Sequence, residues 1–267
     1  MEQLSNEFIK AQGLTLKTPS GVVFENANFT VNKGEVSALF GSAGSGKTAL
    51  LLTLGARMRF SKGSATVAGV DLKHNKKKIR AKSGLTVIHR VNDVQENLTV
   101  SDILSSDLYL AGKAGHHKDV DSYLEKWNFS HDAKTSYFAL SAEEKLYFEI
   151  MLACTCDPEV LLVDDIQDSL TQHASFKMIE LFKQLSDQRG ITTLFGTNEY
   201  ELAHESDSVV VMSVGAKQQR EAVMAKNKDE VHPRLAGWAN NADQNIDRHP
   251  SKMLMFKNKL KEHKKAA

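Results

Sequence analysis

The sequence predicts an α/β fold with a mainly parallel central sheet flanked by helices. Short apolar runs of strand length recur at "EVSALF" (35–40), "LTVIH" (85–89), "VLLVD" (160–164), "ITTLFGT" (191–197) and "SVVVMSV" (208–214). Stretches of helical period separate several of them, so strands and helices alternate along the chain. The runs are apolar throughout rather than every second residue, as in strands covered on both faces. With 267 residues, 41% apolar and 25% charged, the chain can bury a sizeable core and has the composition of an ordinary folded protein.

Each element follows from local chemistry. Residues 12–32 alternate loosely around "TPSG", a turn signal between two extended segments. From Lys47, "KTALLLTLGARM" reads as a helix with a wide apolar face, and "GSATVAG" (63–69) as a further strand. "KHNKKKIRAK" (73–82) is a charge run without interleaved aromatics, which fits a solvated loop or helix face better than a nucleic-acid patch. Residues 99–138 are helical in character, with Thr99 or Ser101 as N-cap. Residues 141–156 form another helix. In "SFKMIELFKQLSDQRG" a single stripe takes Phe176, Ile179, Phe182 and Leu185, and Gly190 provides the stop. From about residue 216 the pattern weakens, and the end, "HPSKMLMFKNKLKEHKKAA", is basic around an apolar knot at Met253–Phe256.

Composition also excludes. A formal charge of +1 argues against a dominant nucleic-acid surface. No apolar run approaches the roughly 18 residues of a membrane span, and the N-terminus lacks a basic-then-apolar signal pattern. Cys154 and Cys156 stand two residues apart in a predicted helix, poorly placed to pair, so both are expected as reduced, small apolar residues.

The strongest local signal is "GSAGSGKT": Gly41, Ser42, Ala43, Gly44, Ser45, Gly46, Lys47 and Thr48. It fits G-x-x-x-x-G-K-[ST] between a strand and a helix. The glycines let the backbone turn closely around a phosphate while successive N–H groups point inward at the positive end of the helix. Lys47 is expected on the β- and γ-phosphates of a nucleotide, and the Thr48 hydroxyl on Mg²⁺. Such a loop needs a second magnesium carboxylate on a neighbouring strand, and Asp164 at the end of "VLLVD" supplies it.

The order of features is more specific still. "LSAEEKLYFEIMLACTCDPEVLLVDD" (140–165) resembles the signature helix and Walker B strand of ABC ATPases, down to the 24 positions from Leu140 to Asp164. "FENANFTVNKGEVSALFGSAGSGKTALLLTLGA" (24–56) resembles the family's N-terminal β-region and phosphate loop, and "ENLTVSDIL" (96–104) the segment opening its helical subdomain. The resemblance covers roughly residues 12–215. It implies a P-loop NTPase fold of ABC type over 1–215, with an N-terminal antiparallel β-subdomain and a helical subdomain at about 99–155. Residues 216–267 are then an extension, basic at its end.

The resemblance also implies roles, not all of them intact. Ser141 takes the place of the signature serine, which in the family contacts ATP held by the opposite subunit. Ala142 and Glu143 replace the following glycines, and Glu144 the glutamine. Arg90 falls at the Q-loop glutamine, Asp165 at the catalytic glutamate and Asn198 at the switch histidine. The D-loop reads Asp168-Ser169-Leu170-Thr171, and the adenine-stacking position falls near Thr18 or Pro19, with Phe24 reading better as core. Asp165 is one methylene short, and a misplacement of roughly 1 Å can cost about 10²-fold in rate. Asn198 can hydrogen-bond a phosphate but carries no charge. Mg-ATP binding is therefore expected to survive and hydrolysis to be slow.

The function implied is the ATP-binding subunit of an ABC transporter: cytoplasmic, on the inner face of the cell membrane through an integral membrane permease, closing on a second nucleotide-binding domain. A regulatory or scaffolding ATP-binding protein is the alternative, and a soluble ATPase acting on nucleic acid the least supported.

Overall fold

A computed structural model of the chain describes residues 6–88, 91–113, 116–168, 170–214 and 220–224. In chain order the elements are β1 (Glu7–Thr18), β2 (Gly21–Asn32), β3 (Val36–Phe40), α1 (Lys47–Leu54), β4 (Lys62–Val67), β5 (Val70–Asp71), α2 (Lys76–Lys82) and β6 (Ser83–Leu85). They continue with α3 (Val100–Leu110), α4 (His117–Lys126), a 3₁₀ turn (Tyr137–Ala139), α5 (Ala142–Ala153), β7 (Val160–Val163), α6 (Gln172–Arg189), β8 (Thr192–Thr197), α7 (Tyr200–His204), β9 (Ser208–Val214) and β10 (Arg220–Met224).

The two sheet types expected are present. β5, β4, β1 and β2 form an antiparallel sheet, in which β1 and β2 pair from Glu7↔Asn32 to Thr18↔Gly21 across the "TPSG" turn. β9, β3, β8, β7 and β6 lie side by side and parallel. β10 pairs antiparallel with β9 and meets β2 at Val223↔Asn28, which joins the two sheets. Every residue of β3, β7 and β8 is buried, as their unbroken apolar runs require. Because β3 lies between β9 and β8, the carboxyl ends of β3, β8 and β7 stand in a row. In sheets of this kind, that edge is where ligands bind.

The helices end where their chemistry says. Thr99 caps α3, its hydroxyl accepting from the Asp102 N–H while Asp102 reaches back to the Thr99 N–H. Gly190, at φ 66°, stops α6. Ile179, Phe182 and Leu185 of the α6 stripe are buried, and Phe182 packs on Phe195 of β8 with ring centroids 5.8 Å apart. Phe176 is half-buried. Phe24 is fully buried in the core, and Thr18 and Pro19 are exposed.

Some expectations are corrected. The strand expected at 85–89 lies earlier, at Ser83–Leu85. After the Thr86 N–H donates to Leu162 O, the chain turns and Asn92 takes over, accepting from Ile88 N (2.7 Å) and donating to Thr86 O (3.2 Å). The basic run at 73–82, read as a solvated loop or helix face, contains α2 over Lys76–Lys82, anchored by buried Ile79, as that reading allows. The helical stretch 99–138 is two helices followed by irregular chain and a 3₁₀ turn. α5 ends at Ala153, leaving Cys154 as its C-cap and Cys156 beyond it; both thiols are free. β10 falls where the sequence pattern had faded. Most of 216–267, including the Met253–Phe256 knot, lies outside the described residues.

Candidate functional site

The phosphate loop leaves the end of β3 and enters α1 through a backbone turn. Gly41 N–H donates to Thr197 O at the end of β8, and Ser45 N–H to Ser42 O, which folds Gly41–Thr48 over the row of strand ends. Gly46, the N-cap of α1, has φ 100°, a left-handed value natural to glycine. A Cβ there would also meet Val23 O at 2.9 Å.

Gly46 makes no side-chain cap, and no acid occupies the first turn of α1. By contrast, α3, α5 and α6 are capped by the hydroxyls of Thr99, Ser141 and Thr171. The first N–H groups of α1 have no intrahelical acceptor and carry the positive end of the helix dipole, which suits an anion.

Lys47 and Thr48 complete the loop. The Lys47 side chain is buried. Its ammonium donates to Gly41 O (3.0 Å) and Ser42 O (3.3 Å) and forms an ion pair with Asp165 Oδ1 at 3.3 Å. The Thr48 hydroxyl donates to Asp164 Oδ2 at 2.7 Å, linking the loop to the end of β7. Asp164 Oδ1 is buried without a hydrogen-bond partner. Burial pushes the Asp164 carboxyl up, the Thr48 hydrogen bond offsets part of this, and Asp165 beside it adds to the rise. A hydroxyl and a carboxylate in contact, with one buried carboxylate oxygen unsatisfied, form a donor set that fits Mg²⁺.

Asp165 follows at φ 32°, a left-handed value that Asp tolerates better than most residues. Its Oδ1 has the Lys47 ion pair but no hydrogen bond. Asn198 is exposed just beyond β8, whose end also supplies Thr197 O to the loop. Arg90 lies outside the described residues, as does Ser169.

The N-terminus of α5 carries two carboxylates, Glu143 and Glu144. Glu144 turns back on its own helix: Ser141 N–H donates to Glu144 Oε2 (2.8 Å), and Glu144 N–H to Ser141 Oγ (3.3 Å). Its other oxygen meets His131 Nε2 at 2.7 Å. The Ser141 hydrogen bond first, then His131, hold this carboxyl well below its usual range, at about 2. Glu143 pairs with Lys177 of α6 at 3.0 Å. Ala142 begins the helix, half-buried. Both acids are thus engaged within the chain.

The structure adds residues that the sequence does not single out. Gly196 of β8 lies against the Asp164–Asp165 turn: a Cβ there would sit 3.1 Å from Asp165 N and 3.2 Å from Asp164 Oδ1, and its carbonyl accepts from Ile166 N. The Thr86 hydroxyl accepts from Asp164 N at 3.4 Å. A glycine inside an otherwise apolar strand was the available signal for the first.

Comparison with known proteins agrees with this geometry. A family model described as ABC transporter matches residues 24–167. The chain is 30% identical over 233 residues to a putative ABC transporter ATP-binding protein of Bifidobacterium longum, covering 80% of this chain and 30% of that protein. It is 28% identical over 214 residues to a methionine import ATP-binding protein of Shouchella clausii, covering 78% of this chain and 62% of the relative. The chain therefore spans less than two thirds of the length of these curated relatives. Among solved structures, a component of an ABC transporter complex from Clostridium perfringens superposes with a TM-score of 0.72 at 19% identity, covering 91% of this chain and 96% of that one. A dimeric ATP-binding cassette in a post-hydrolysis state, bound to ADP and phosphate, superposes with a TM-score of 0.64 at 18% identity, covering 76% and 94%. At such identities the likeness is one of fold.

Proposed function

The chain belongs to the ABC transporter family, and from that premise we propose that it is the ATP-binding subunit of a transporter whose membrane-spanning permease is a separate protein. No helix among the described residues is long and apolar enough to cross a membrane, which fits a division of labour between two chains. The relatives named as import ATP-binding proteins support the transport role, and the dimeric cassette supports closure on a second nucleotide-binding domain.

One observation carries the ATP reading: the Thr48–Asp164 contact at 2.7 Å beneath a helix N-terminus that its own side chains leave open. The α1 N–H groups and Lys47 would hold the β- and γ-phosphates. Thr48 and Asp164 would hold Mg²⁺, which when bound neutralises charge on those phosphates. Asp165 stands where a base would act on water, but it is short and engaged with Lys47. Asn198 would offer a hydrogen bond without a charge. Hydrolysis is therefore slow in the isolated chain.

Titration with fluorescent ATP in the presence and absence of Mg²⁺ tests the site. The wild-type chain binds with a Mg²⁺ requirement, and Lys47→Ala and Asp164→Asn each weaken binding about tenfold or more, the scale of a lost charge-assisted contact. A wild-type chain that ignores millimolar Mg-ATP refutes the proposal.

A second reading, in which ATP is a regulatory ligand that is bound but not turned over, is favoured by the closed N-terminus of α5. There the Glu144 carboxylate takes the Ser141 N–H and the Ser141 hydroxyl takes the Glu144 N–H, so two of the donors that could approach an anion are already engaged. ATPase measured alone and with the permease separates the two: binding without turnover in both states selects the regulatory role.

A further inference from the structure

The phosphate loop is walled on one side by the start of β2. A Cβ built at Gly46 would meet Val23 O at 2.9 Å and Phe24 Cβ at 3.6 Å. On another side it meets Met212 Cε of β9 at 3.4 Å, and Met212 is buried. Val23 is the third residue of β2, so the tip of the β1–β2 hairpin, 18–21, lies beside the loop. That tip is the exposed surface next to the loop that a ribose and base would meet.

The tip offers a base little. Thr18, Pro19, Ser20 and Gly21 are all exposed, and none is aromatic. Their polar groups are used within the turn. The Thr18 and Ser20 hydroxyls share a hydrogen bond of 2.9 Å, and Thr18 Oγ1 donates to Gly21 O at 3.2 Å. Just before them, Lys17 pairs with Glu25 at 3.0 Å. Phe24, the aromatic residue beside Gly46, is 0% exposed and sealed in the core. Phe60 is half-buried and packs on that same core. Among the described residues, the exposed Phe and Tyr side chains are Tyr109 of α3 and Phe138 of the 3₁₀ turn.

The phosphate side is built in the opposite way. Lys47, the open N-terminus of α1 and the Thr48–Asp164 contact all converge there. Charge-assisted contacts of this kind are the strong ones, and a helix N-terminus favours an anion whatever is attached to it. A base stacked on an aromatic ring would add roughly five- to a hundredfold in affinity, and the hairpin tip has no ring to supply it.

We propose that this site recognises the Mg-complexed triphosphate group alone and takes organic triphosphates whatever nucleoside they carry. The proposal rests on the Mg-ATP reading of the site and specifies which part of the ligand is read.

Isothermal titration calorimetry of the full chain with the Mg²⁺ complexes of ATP, GTP and methyl triphosphate tests it. Methyl triphosphate keeps the charge of ATP and has neither ribose nor base. The three dissociation constants agree within about fivefold, and Lys47→Ala weakens all three by about tenfold or more. Mg-ATP binding that is tighter than Mg-methyl triphosphate by more than this overturns the proposal and leaves the ATP reading standing. Absence of binding by all three overturns both. Methyl triphosphate binding that survives Lys47→Ala unchanged lies elsewhere on the chain and overturns the proposal as well. Thr18→Tyr and Pro19→Tyr, two separate variants of an exposed turn, each add the missing ring. At least one of them tightens ATP and GTP by about fivefold or more and leaves methyl triphosphate unchanged. If neither does, the hairpin is not the wall that faces the base, and the proposal fails.

Discussion

At Asp165 a missing methylene and an unusual backbone angle act together. The residue sits at φ 32°, and its carboxylate meets Lys47 at 3.3 Å. On the proposal that Asp165 stands at the position of a general base, Asp165→Glu lengthens that acid by one methylene, and ATPase activity of the purified chain rises tenfold or more, toward the roughly 10²-fold that a 1 Å displacement can cost. A rate left unchanged by the longer acid moves the limit to Asn198, Arg90 or the α5 N-terminus. At this scale Gly41–Thr48 and Asp164 were legible, because a phosphate loop tolerates few residue types at each step. Gly196 and Thr86 were not. They act through one missing Cβ in β8 and one hydroxyl just beyond β6; a glycine inside a strand was the local trace of the first, and the second leaves none.

At the scale of one element, α5 carries two carboxyls displaced in opposite directions. Glu144 is held at about 2 by the Ser141 hydrogen bond and then by His131, against an ordinary 4.5. Its contribution to stability is complete above 4.5 and disappears as pH falls toward 2. Glu149 is raised to about 7, by burial first, while Tyr137 OH donates to it at 2.5 Å. The folded state therefore holds a proton that the unfolded chain releases above 4.5, so this contribution is complete below 4.5 and is lost as pH rises through 7. Urea midpoints measured from pH 3 to 8 for Glu144→Gln and Glu149→Gln check both signs. The first variant loses part of the acid-side dependence, and the second flattens the decline between about 4.5 and 7. The existence of α5 was legible as a helix over 141–156, whereas the capping box of Ser141 and Glu144 that begins it comes from the structure. The partners His131 and Lys177 were not, since each comes from a different segment of the chain. β6 was expected at 85–89 and lies at Ser83–Leu85, because a continuous apolar run does not say where pairing starts or stops.

At the scale of the molecule, the parallel sheet was legible as alternating strands and helices, but its joint to the antiparallel sheet was not. That joint is β10, whose five residues, "REAVM", alternate too little to stand out. β10 covers the edge of β9 over Arg220–Met224 and meets β2 at Val223↔Asn28. A paired edge resists association with other chains, whereas an open one invites it. The boundary expected after residue 215 falls between β9 and β10, and the compact unit runs to Ala225, so we propose that the nucleotide-binding unit includes β10. A chain cut after Ala225 retains a single thermal transition and wild-type Mg-ATP affinity. A chain cut after Val214 bares β9 and cuts the pairing between the sheets; its Tm falls by roughly 5 °C or more, with concentration-dependent association in sedimentation. Equal Tm for the two cuts would return β10 to the extension and leave the joint between the sheets to side-chain packing alone.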